Sequence, residues 1–173
     1  MQRKLLVLDI DGVLNDHKTL PNGYSQLKLD CVNELCRILD CCPDVNIILS
    51  SAWRYMMFSV PPAINERGME YILCLFGANY NSIHGRIIGA TESDEETCWR
   101  LDIIKIGMEL DYEWLKENGC LLRREQILSM VTNEQFVVLD DLELEMPQLI
   151  KTDPSVGLTK ELADLVIEKF NHL

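Results

Sequence analysis

Short apolar runs alternate along this chain with longer segments in which apolar residues recur at helical spacing. Apolar runs predict strands over residues 4–9, 45–50 and 136–140, because short runs rich in valine, isoleucine and leucine are typical of strands buried on both faces. Shorter strands are expected at 83–88 and 149–152. Strands buried on both faces occur mainly in parallel sheets covered by helices, so the pattern favours that architecture.

The segments between these runs are predicted to be helices and loops. Helices are expected over residues 29–41, 62–76, 99–118, 124–131 and 160–171. Loops are expected over residues 15–28, 77–82 and 91–97. Thr159 and Glu161 supply the N-cap and the first-turn acid of the last helix. Because strands and helices alternate through residues 1–173, the sequence predicts a single α/β domain with a mainly parallel sheet.

Acidic residues follow two of the predicted strands at their carboxyl ends. Asp9 and Asp11 end the first run, and residues two apart on an extended chain point to the same side. Asp140 and Asp141 end the run at 136–140. Ligands bind at the carboxyl ends of strands in open parallel sheets, so these carboxylates are expected near one point. Like charges that close repel unless they share a proton or a cation, and oxygen ligands suit Mg²⁺.

The strand predicted at 45–50 is followed by hydroxyl and guanidinium groups instead of carboxylates. Ser50, Ser51 and Arg54 lie at this strand end. A hydroxyl donates a hydrogen bond and a guanidinium offers a planar fork of donors, and both suit the oxygens of phosphate. The sequence therefore indicates a site that binds a divalent cation, a phosphate group, or both.

The charge of the chain limits the partners that it can bind. The 173 residues carry a net charge of −12, although the apolar fraction of 47% and the charged fraction of 25% are ordinary for a globular domain. Proteins that bind long DNA or RNA irrespective of sequence neutralise phosphates with an excess of lysine and arginine. The composition disfavours that mode of binding but leaves room for a small basic pocket.

Cysteine usage and the lack of a long apolar stretch indicate a cytoplasmic protein. The seven cysteines are odd in number and form no C-x-x-C pair, which argues against zinc and is typical of a reducing compartment. Cys31, Cys36, Cys74 and Cys120 lie in apolar contexts and are expected to be buried. No apolar stretch approaches the roughly 18 residues of a membrane-spanning helix, so neither a transmembrane segment nor a signal peptide is expected.

The strand-end motifs together resemble those of the haloacid dehalogenase-like (HAD) phosphohydrolases. Residues 9–13, Asp-Ile-Asp-Gly-Val, are similar to the family's D-x-D-G-[TV] signature, and the serine-ended and Asp-Asp strands follow in the family's order. Residues 49–54 and 152–159 are similar, more narrowly, to the HAD domains associated with Swiss Army Knife RNA repair proteins. The resemblance implies a Rossmann-like, three-layer α/β/α core with a small insertion or cap between the second and third motifs.

The resemblance also implies roles for the carboxylates. Asp9 would be the nucleophile that forms an aspartyl-phosphate, and Asp11 would be the general acid and then the general base. Mg²⁺ would be held by the Asp9 side chain, the Asp11 backbone carbonyl and Asp140. Asp141 would be either a further ligand or a partner of one. Together these positions imply a Mg²⁺-dependent phosphomonoesterase.

The phosphate-binding residues implied by the resemblance lie in the second motif. Ser51 matches the family's hydroxyl best, and Ser50, which directly follows the apolar run, is the close competitor. Arg54 either contacts phosphate or pairs with a surface carboxylate. Each serine also suits the capping of a following helix, so a structural role stays open for both.

The third motif of the family requires a lysine or arginine at the start of a helix, where it stabilises the phosphoryl charge. Arg123 and Arg124 lie upstream of Ile127 at suitable spacing, and Arg123 is preferred by its register. Lys105 is the third candidate, if the insertion is aligned differently.

The substrate is left open by these motifs. The stretch 55–122 is long enough for a small cap, and in HAD enzymes such insertions cover the site and select the substrate. The RNA repair resemblance implies a nucleotide or a nucleic-acid terminal phosphate. The net charge of −12 argues against a large polynucleotide, so a small phosphorylated metabolite or a mononucleotide is the second candidate. The same motifs would also suit a phosphotransferase or a non-catalytic binding protein with this fold, and the intact Asp9 and Asp11 argue against the binding protein.

Overall fold

Strands and helices alternate along most of the chain. The computed structural model describes residues 3–16, 26–54, 58–60, 63–64, 76–77, 80–83, 85–103 and 111–173. The strands are β1 (Lys4–Leu8), β2 (Val45–Leu49), β3 (Phe58–Val60), β4 (Ala63–Ile64), β5 (Ile87–Ala90), β6 (Gln135–Asp140) and β7 (Leu149–Lys151). The helices are α1 (Leu29–Cys41), α2 (Tyr80–Ile83), α3 (Asp94–Arg100), α4 (Tyr112–Met130) and α5 (Lys160–His172).

A parallel sheet forms the centre of the fold. Among the described residues it has five strands in the order β5-β2-β1-β6-β7, and each neighbouring pair is parallel. Leu8 of β1 pairs with Leu49 of β2 and with Leu139 of β6. The three central strands therefore end level with one another, and the residues that follow them reach the same edge of the sheet. The predicted α/β class with a mainly parallel sheet is confirmed.

Helices cover both faces of this sheet. Leu6 and Leu8 of β1 belong to a buried core that includes residues of α1 and α5. Leu5 and Val7 point to the other face, where they share a second core with Ile127 of α4. Alternate residues of one strand thus contact different helical layers, as the side-chain period of a strand requires. The predicted three-layer α/β/α arrangement is confirmed.

The edge strand β5 begins later than the sequence indicated. The strand predicted at 83–88 is wrong in its bounds, because Ile83 ends α2 and β5 starts only at Ile87. Pairing with β2 sets this start, since Ile47 N donates to the carbonyl of Arg86 at 2.7 Å. Ile83 is buried at the end of a helical turn, so its apolar character does not identify it as a strand residue.

The β3–β4 pair lies outside the central sheet. It is antiparallel, and its second strand, Ala63–Ile64, contradicts the first residues of the helix predicted over 62–76. Consecutive prolines separate the two strands, and a residue before proline is biased away from helical conformations. Residues 65–75 lie outside the described residues. Because β5 belongs to the central sheet, the cap predicted within 55–122 excludes that strand, and the division into core and insertion stays a prediction.

The acidic segment predicted as a loop over 91–97 contains the start of α3. Ser93 caps this helix, because its Oγ accepts from Glu96 N at 3.1 Å. In return Glu96 Oε2 accepts from Ser93 N at 2.8 Å, which completes a capping box. The negative charges of the segment therefore lie in a first helical turn, where the helix dipole favours them.

A single helix, α4, joins the helix predicted over 124–131 to the last part of the helix predicted over 99–118, whose first two residues belong to α3. Residues 101–103 are not helical, and residues 104–110 lie outside the described residues. Asp111 caps its start, since its Oδ1 accepts from Glu113 N at 2.9 Å. Gly119 lies inside this 19-residue helix and costs only about 1 kcal/mol relative to alanine, too little to end it. Within the described residues neither α4 nor any other helix is both long and apolar enough to cross a membrane.

The predictions of buried cysteines hold in part. Cys31 and Cys36 of α1 are buried as expected, whereas Cys120 of α4 is exposed, contrary to the prediction. The buried residues of α4 include Leu122 and lie on another side of the helix. Cys74 lies outside the described residues.

Candidate active site

The central strands bring polar side chains to one edge of the sheet. Asp9 follows β1, Ser50 follows β2, and Asp140 is the last residue of β6. Backbone pairing continues past β1, because Asp9 N donates to Leu139 O at 2.9 Å. It also continues past β2, where Ser50 N donates to Leu8 O at 2.8 Å. These side chains are therefore fixed by sheet pairing rather than carried on free loops.

Carboxylates meet at this edge. Among the described residues, one oxygen from each of Asp9, Asp140 and Asp141 lies within 4.8 Å of the others, and we call these three residues the carboxylate cluster. Asp140 is fully buried, Asp9 is 4% exposed and Asp141 is half-buried. The structure thus brings together three of the four aspartates that the sequence singled out. The side chain of the fourth, Asp11, lies outside the cluster.

Arg123 of α4 faces the carboxylate cluster. Its Nη1 lies 3.7 Å from Asp9 Oδ1 and 3.6 Å from Asp140 Oδ2. The same nitrogen donates to Ser50 Oγ at 3.3 Å. One guanidinium therefore connects the ends of β1, β2 and β6, and it offers donors at the place where a phosphate group would meet the cluster.

The register of α4 explains why Arg123, rather than its neighbour, reaches the site. Leu122 and Ile127 of this helix are buried, and Arg123 lies one residue after the first and four before the second. Arg124 is rotated a further 100° or so around the helix, is half-buried, and makes no ion pair with the cluster among the described residues. Lys105, the remaining candidate for the third motif, lies outside the described residues.

Burial raises the pKa of two carboxyl groups of the cluster, those of Asp9 and Asp140. The pKa of Asp9 is raised from 3.8 to about 7, chiefly by burial and further by the charge of Asp140. Arg123 opposes this rise, as do hydrogen bonds from Ile10 N and from the Ser51 hydroxyl. The pKa of Asp140 is also raised, chiefly by burial, and Arg123 again lowers it. Arg123 only partly offsets the effect of burial, so ionising Asp9 and Asp140 together costs free energy.

The cluster fits a divalent cation. Asp140 Oδ1 accepts from Leu142 N at 3.0 Å, whereas Asp140 Oδ2 is buried and has no hydrogen bond among the described residues. This oxygen pairs with Arg123 Nη1 at 3.6 Å, which is longer than a hydrogen bond, so it keeps acceptor capacity that suits a cation. Three ionised carboxylates beside one guanidinium leave two excess negative charges, which one divalent cation balances. Carboxylate oxygens are also the ligands that Mg²⁺ prefers.

Asp11 is held apart from the cluster by two nitrogen donors. Its Oδ1 accepts from Asn15 Nδ2 at 2.7 Å, and its Oδ2 accepts from Trp53 Nε1 at 3.0 Å. Gly12 adopts a φ of +73°, which glycine tolerates, and its N donates to Asn15 Oδ1 at 3.0 Å. No sequence motif identifies Asn15 as a partner of Asp11. The predicted contact of the Asp11 backbone carbonyl with a cation stays a prediction.

The loop after β2 places the predicted serines against Asp9. Ser50 and Ser51 are both fully buried, and the Ser51 side chain lies close enough to Asp9 to lower the pKa of that carboxyl group. Arg54 is buried as well, and its Nη1 donates to Ser51 O at 3.1 Å. Its Nη2 lies 3.6 Å from Asp94 Oδ1 at the start of α3. Arg54 therefore braces this loop against α3, and its role in binding phosphate stays a prediction.

The segment after β7 supports the turn that follows Asp11. Thr152 Oγ1 donates to Gly12 O at 2.8 Å, and Leu158 N donates to Val13 O at 2.7 Å. Gly157 has a φ of +84°, and a Cβ there would stand 2.7 Å from Val13 O, so this close approach requires glycine. The similarity of residues 152–159 to the narrower family was the sequence signal for this support, although it gave no contact.

Comparison with known protein families finds a match over most of the chain. Residues 5–163 match the family described as the HAD domain in Swiss Army Knife RNA repair proteins. The match runs from β1 to the first turn of α5 and includes all the site residues named above. No curated protein and no solved structure matches significantly. The chain therefore belongs to the family of HAD domains found in Swiss Army Knife RNA repair proteins.

Proposed function

We propose that this protein is a Mg²⁺-dependent phosphomonoesterase that acts through an aspartyl-phosphate on Asp9. The observation that carries this proposal is the carboxylate cluster, whose three acids lie within 4.8 Å of one another beside Arg123 and Ser50. Membership of a HAD family supports the phosphatase class. A buried nucleophile, a cation-binding set of oxygens and a guanidinium are the groups that phosphoryl transfer needs.

In the first half-reaction a carboxylate oxygen of Asp9 forms a bond to phosphorus. The bond between phosphorus and the leaving-group oxygen breaks, and the protonated Asp11 gives its proton to that oxygen. Arg123 and the Ser50 hydroxyl donate to the phosphoryl oxygens, on which negative charge is held during transfer. The carboxylate of Asp9 needs no base to activate it once it is ionised.

In the second half-reaction a water molecule attacks phosphorus of the aspartyl-phosphate. Asp11, now ionised, takes a proton from this water as its oxygen bonds to phosphorus. The bond to Asp9 breaks, which releases inorganic phosphate and restores both aspartates to their starting forms. Asp11 therefore acts first as an acid and then as a base, and no net proton is lost from the site.

Asp9, Asp140 and Asp141 would hold Mg²⁺, which when bound offsets the repulsion between the phosphate and the carboxylates. The buried Asp140 oxygen that lacks a hydrogen bond among the described residues supports this assignment. Burial raises the pKa of Asp9 to about 7, and a cation bound beside it would lower that pKa and favour the ionised nucleophile.

The substrate that we propose is a nucleotide or the terminal phosphate of a nucleic acid. Membership of a family named for RNA repair supports this choice. The net charge of −12 favours a short ligand over a long polynucleotide, and it makes a small phosphorylated metabolite the second candidate.

Phosphate release from a panel of substrates tests the proposal. The panel contains mononucleotides, oligonucleotides with a terminal phosphate and sugar phosphates, each assayed with Mg²⁺ or with a chelator. We expect release that requires Mg²⁺ and that disappears in Asp9→Asn. Asp40→Asn is the matched control, because Asp40 is exposed near the end of α1, at the edge of the sheet opposite the site.

Two results would assign the protein to another class. Transfer of the phosphoryl group to an added alcohol, instead of water, would identify a phosphotransferase. Binding of Mg²⁺ without turnover of any phosphoester in the panel would contradict the enzymatic proposal and indicate a binding protein with a HAD fold.

A further inference from the structure

The side chain of Asp11 is fixed by donors from two different parts of the chain. Asn15 lies in the turn after β1, and Trp53 lies in the loop after β2; we call these two residues the donor pair. The donor pair contributes one N–H to each carboxylate oxygen, at 2.7 Å from Asn15 Nδ2 and 3.0 Å from Trp53 Nε1. Two bonds to the two oxygens fix both the position and the rotation of the carboxylate.

Both members of the donor pair are themselves immobilised. Asn15 is 1% exposed, and its Oδ1 accepts from Gly12 N at 3.0 Å. Trp53 is 7% exposed, packs in the larger apolar core, and donates from its backbone N to Ser51 Oγ at 3.4 Å. A donor that cannot follow its acceptor imposes a geometry on it, so Asp11 is held by a rigid frame.

The chemistry of the donors suits a carboxylate that exchanges a proton. An indole N–H and an amide NH₂ can donate but cannot take a proton from Asp11, so the frame does not compete for the transferred proton. Each carboxylate oxygen accepts one bond and keeps further acceptor capacity. Trp53 also belongs to the same loop as Ser50 and Ser51, so one rigid segment positions both the acid and the hydroxyls beside Asp9.

We propose that Trp53 and Asn15 are positioning residues that hold Asp11 for proton transfer to the leaving group. The inference rests on the proposed phosphomonoesterase function. The donor pair keeps the Asp11 side chain out of the carboxylate cluster, although Asp11 lies only two residues from Asp9. The nucleophile and the acid are thereby given separate surroundings at the end of the same strand.

The leaving group reveals this role. Phenol is a weak acid, with a pKa of about 10 like that of tyrosine, so its release from phenyl phosphate depends on a proton from Asp11. 4-Nitrophenol is a stronger acid and leaves with little help. Loss of the donor pair should therefore slow the release of phenol much more than the release of 4-nitrophenol. General damage to the site would slow both equally.

The test is single-turnover release of each phenol with enzyme in excess and Mg²⁺ present. Trp53→Phe keeps the ring but removes the N–H donor, and Trp99→Phe, on the exposed surface of α3, is the matched control. We expect Trp53→Phe to lower release from phenyl phosphate by about tenfold or more, and release from 4-nitrophenyl phosphate by no more than about twofold. Trp99→Phe should change neither rate.

Three further results complete the design. Equal losses on both substrates, or no loss, in a folded Trp53→Phe protein would overturn the inference and leave the proposed function intact. If Trp53→Phe does not fold, Asn15→Ala removes the other donor and must show the same selective loss. If the unaltered protein turns over neither these two esters nor any member of the substrate panel, or if release persists in Asp9→Asn, the proposed function itself fails, and the role of the donor pair fails with it.

Discussion

Replacing Asp9 by asparagine is expected to change how the stability of the protein depends on pH, before any substrate is added. Asparagine has nearly the shape of a protonated aspartate but cannot ionise. In the folded protein the pKa of Asp9 is raised from 3.8 to about 7, chiefly by burial. The folded state therefore holds the Asp9 proton more tightly than the unfolded chain does. Stability contributed by this proton is present below about pH 4 and is lost as the pH rises to about 7.

The size of the effect follows from the difference between the two pKa values. A difference of about three pH units, at about 1.4 kcal/mol for each, corresponds to about 4 kcal/mol of unfolding free energy above neutral pH. Asp9→Asn lacks this loss. The free energy of unfolding of the variant, relative to the unaltered protein, should therefore increase between about pH 4 and pH 8 by as much as about 4 kcal/mol.

Urea unfolding followed by circular dichroism measures this difference across the pH range in the presence of a chelator. Asp40→Asn removes an exposed carboxylate and should run parallel to the unaltered protein. Saturating Mg²⁺ should remove the decline of the unfolding free energy with pH in the unaltered protein, because a bound cation favours the ionised form of the cluster. The reasoning would be refuted if the unfolding free energies of Asp9→Asn and the unaltered protein differed by the same amount at every pH. Asp9 would then have an ordinary pKa in the folded state.

Three other substitutions give measurable outcomes. Asp140→Asn should weaken Mg²⁺ binding by about tenfold or more, as calorimetry would measure, and unchanged affinity would contradict the assignment of Asp140 as a ligand. Arg123→Gln should lower the rate of 4-nitrophenyl phosphate hydrolysis by about 10²–10³-fold, whereas Arg124→Gln should keep it within about twofold; similar losses would contradict the separate placement of the two arginines. Thr152→Val leaves the Gly12 carbonyl without its buried donor and should cost about 1–3 kcal/mol in urea unfolding, and an unchanged midpoint would show that this bond contributes little.

The features that the sequence predicted correctly depend on short-range patterns. An apolar run such as Leu5–Leu8 identifies a buried strand, and the acids that follow Leu8 and Leu139 are placed by the level pairing of these two residues. No long-range information is needed for this step, because the carboxyl ends of parallel strands meet at one edge. The start of α3 has a local signal too, because Ser93 and Glu96 form a capping box, although the acidic residues around them favour a loop.

The features that the sequence did not reveal depend on side-chain direction across separate segments. The sequence register favours Arg123 over Arg124, but the contacts of Arg123 with Asp9 and Asp140 follow only from the packing of α4. The hydrogen bonds from Asn15 and Trp53 to Asp11 join two turns that are distant in sequence, and no periodic pattern of residues predicts them. Such contacts are set by the packing of the turns on the core rather than by local preference.

The central claim, that Asp9 carries the phosphoryl group during turnover, is tested most directly by trapping the intermediate. The protein is mixed with Mg²⁺ and 4-nitrophenyl phosphate, quenched in acid within the first turnover, and digested for mass spectrometry. The account predicts a phosphorylated peptide with the modification on Asp9, absent from Asp9→Asn and from the sample with a chelator. A phosphoryl group on another residue, or turnover that continues in Asp9→Asn, would contradict it.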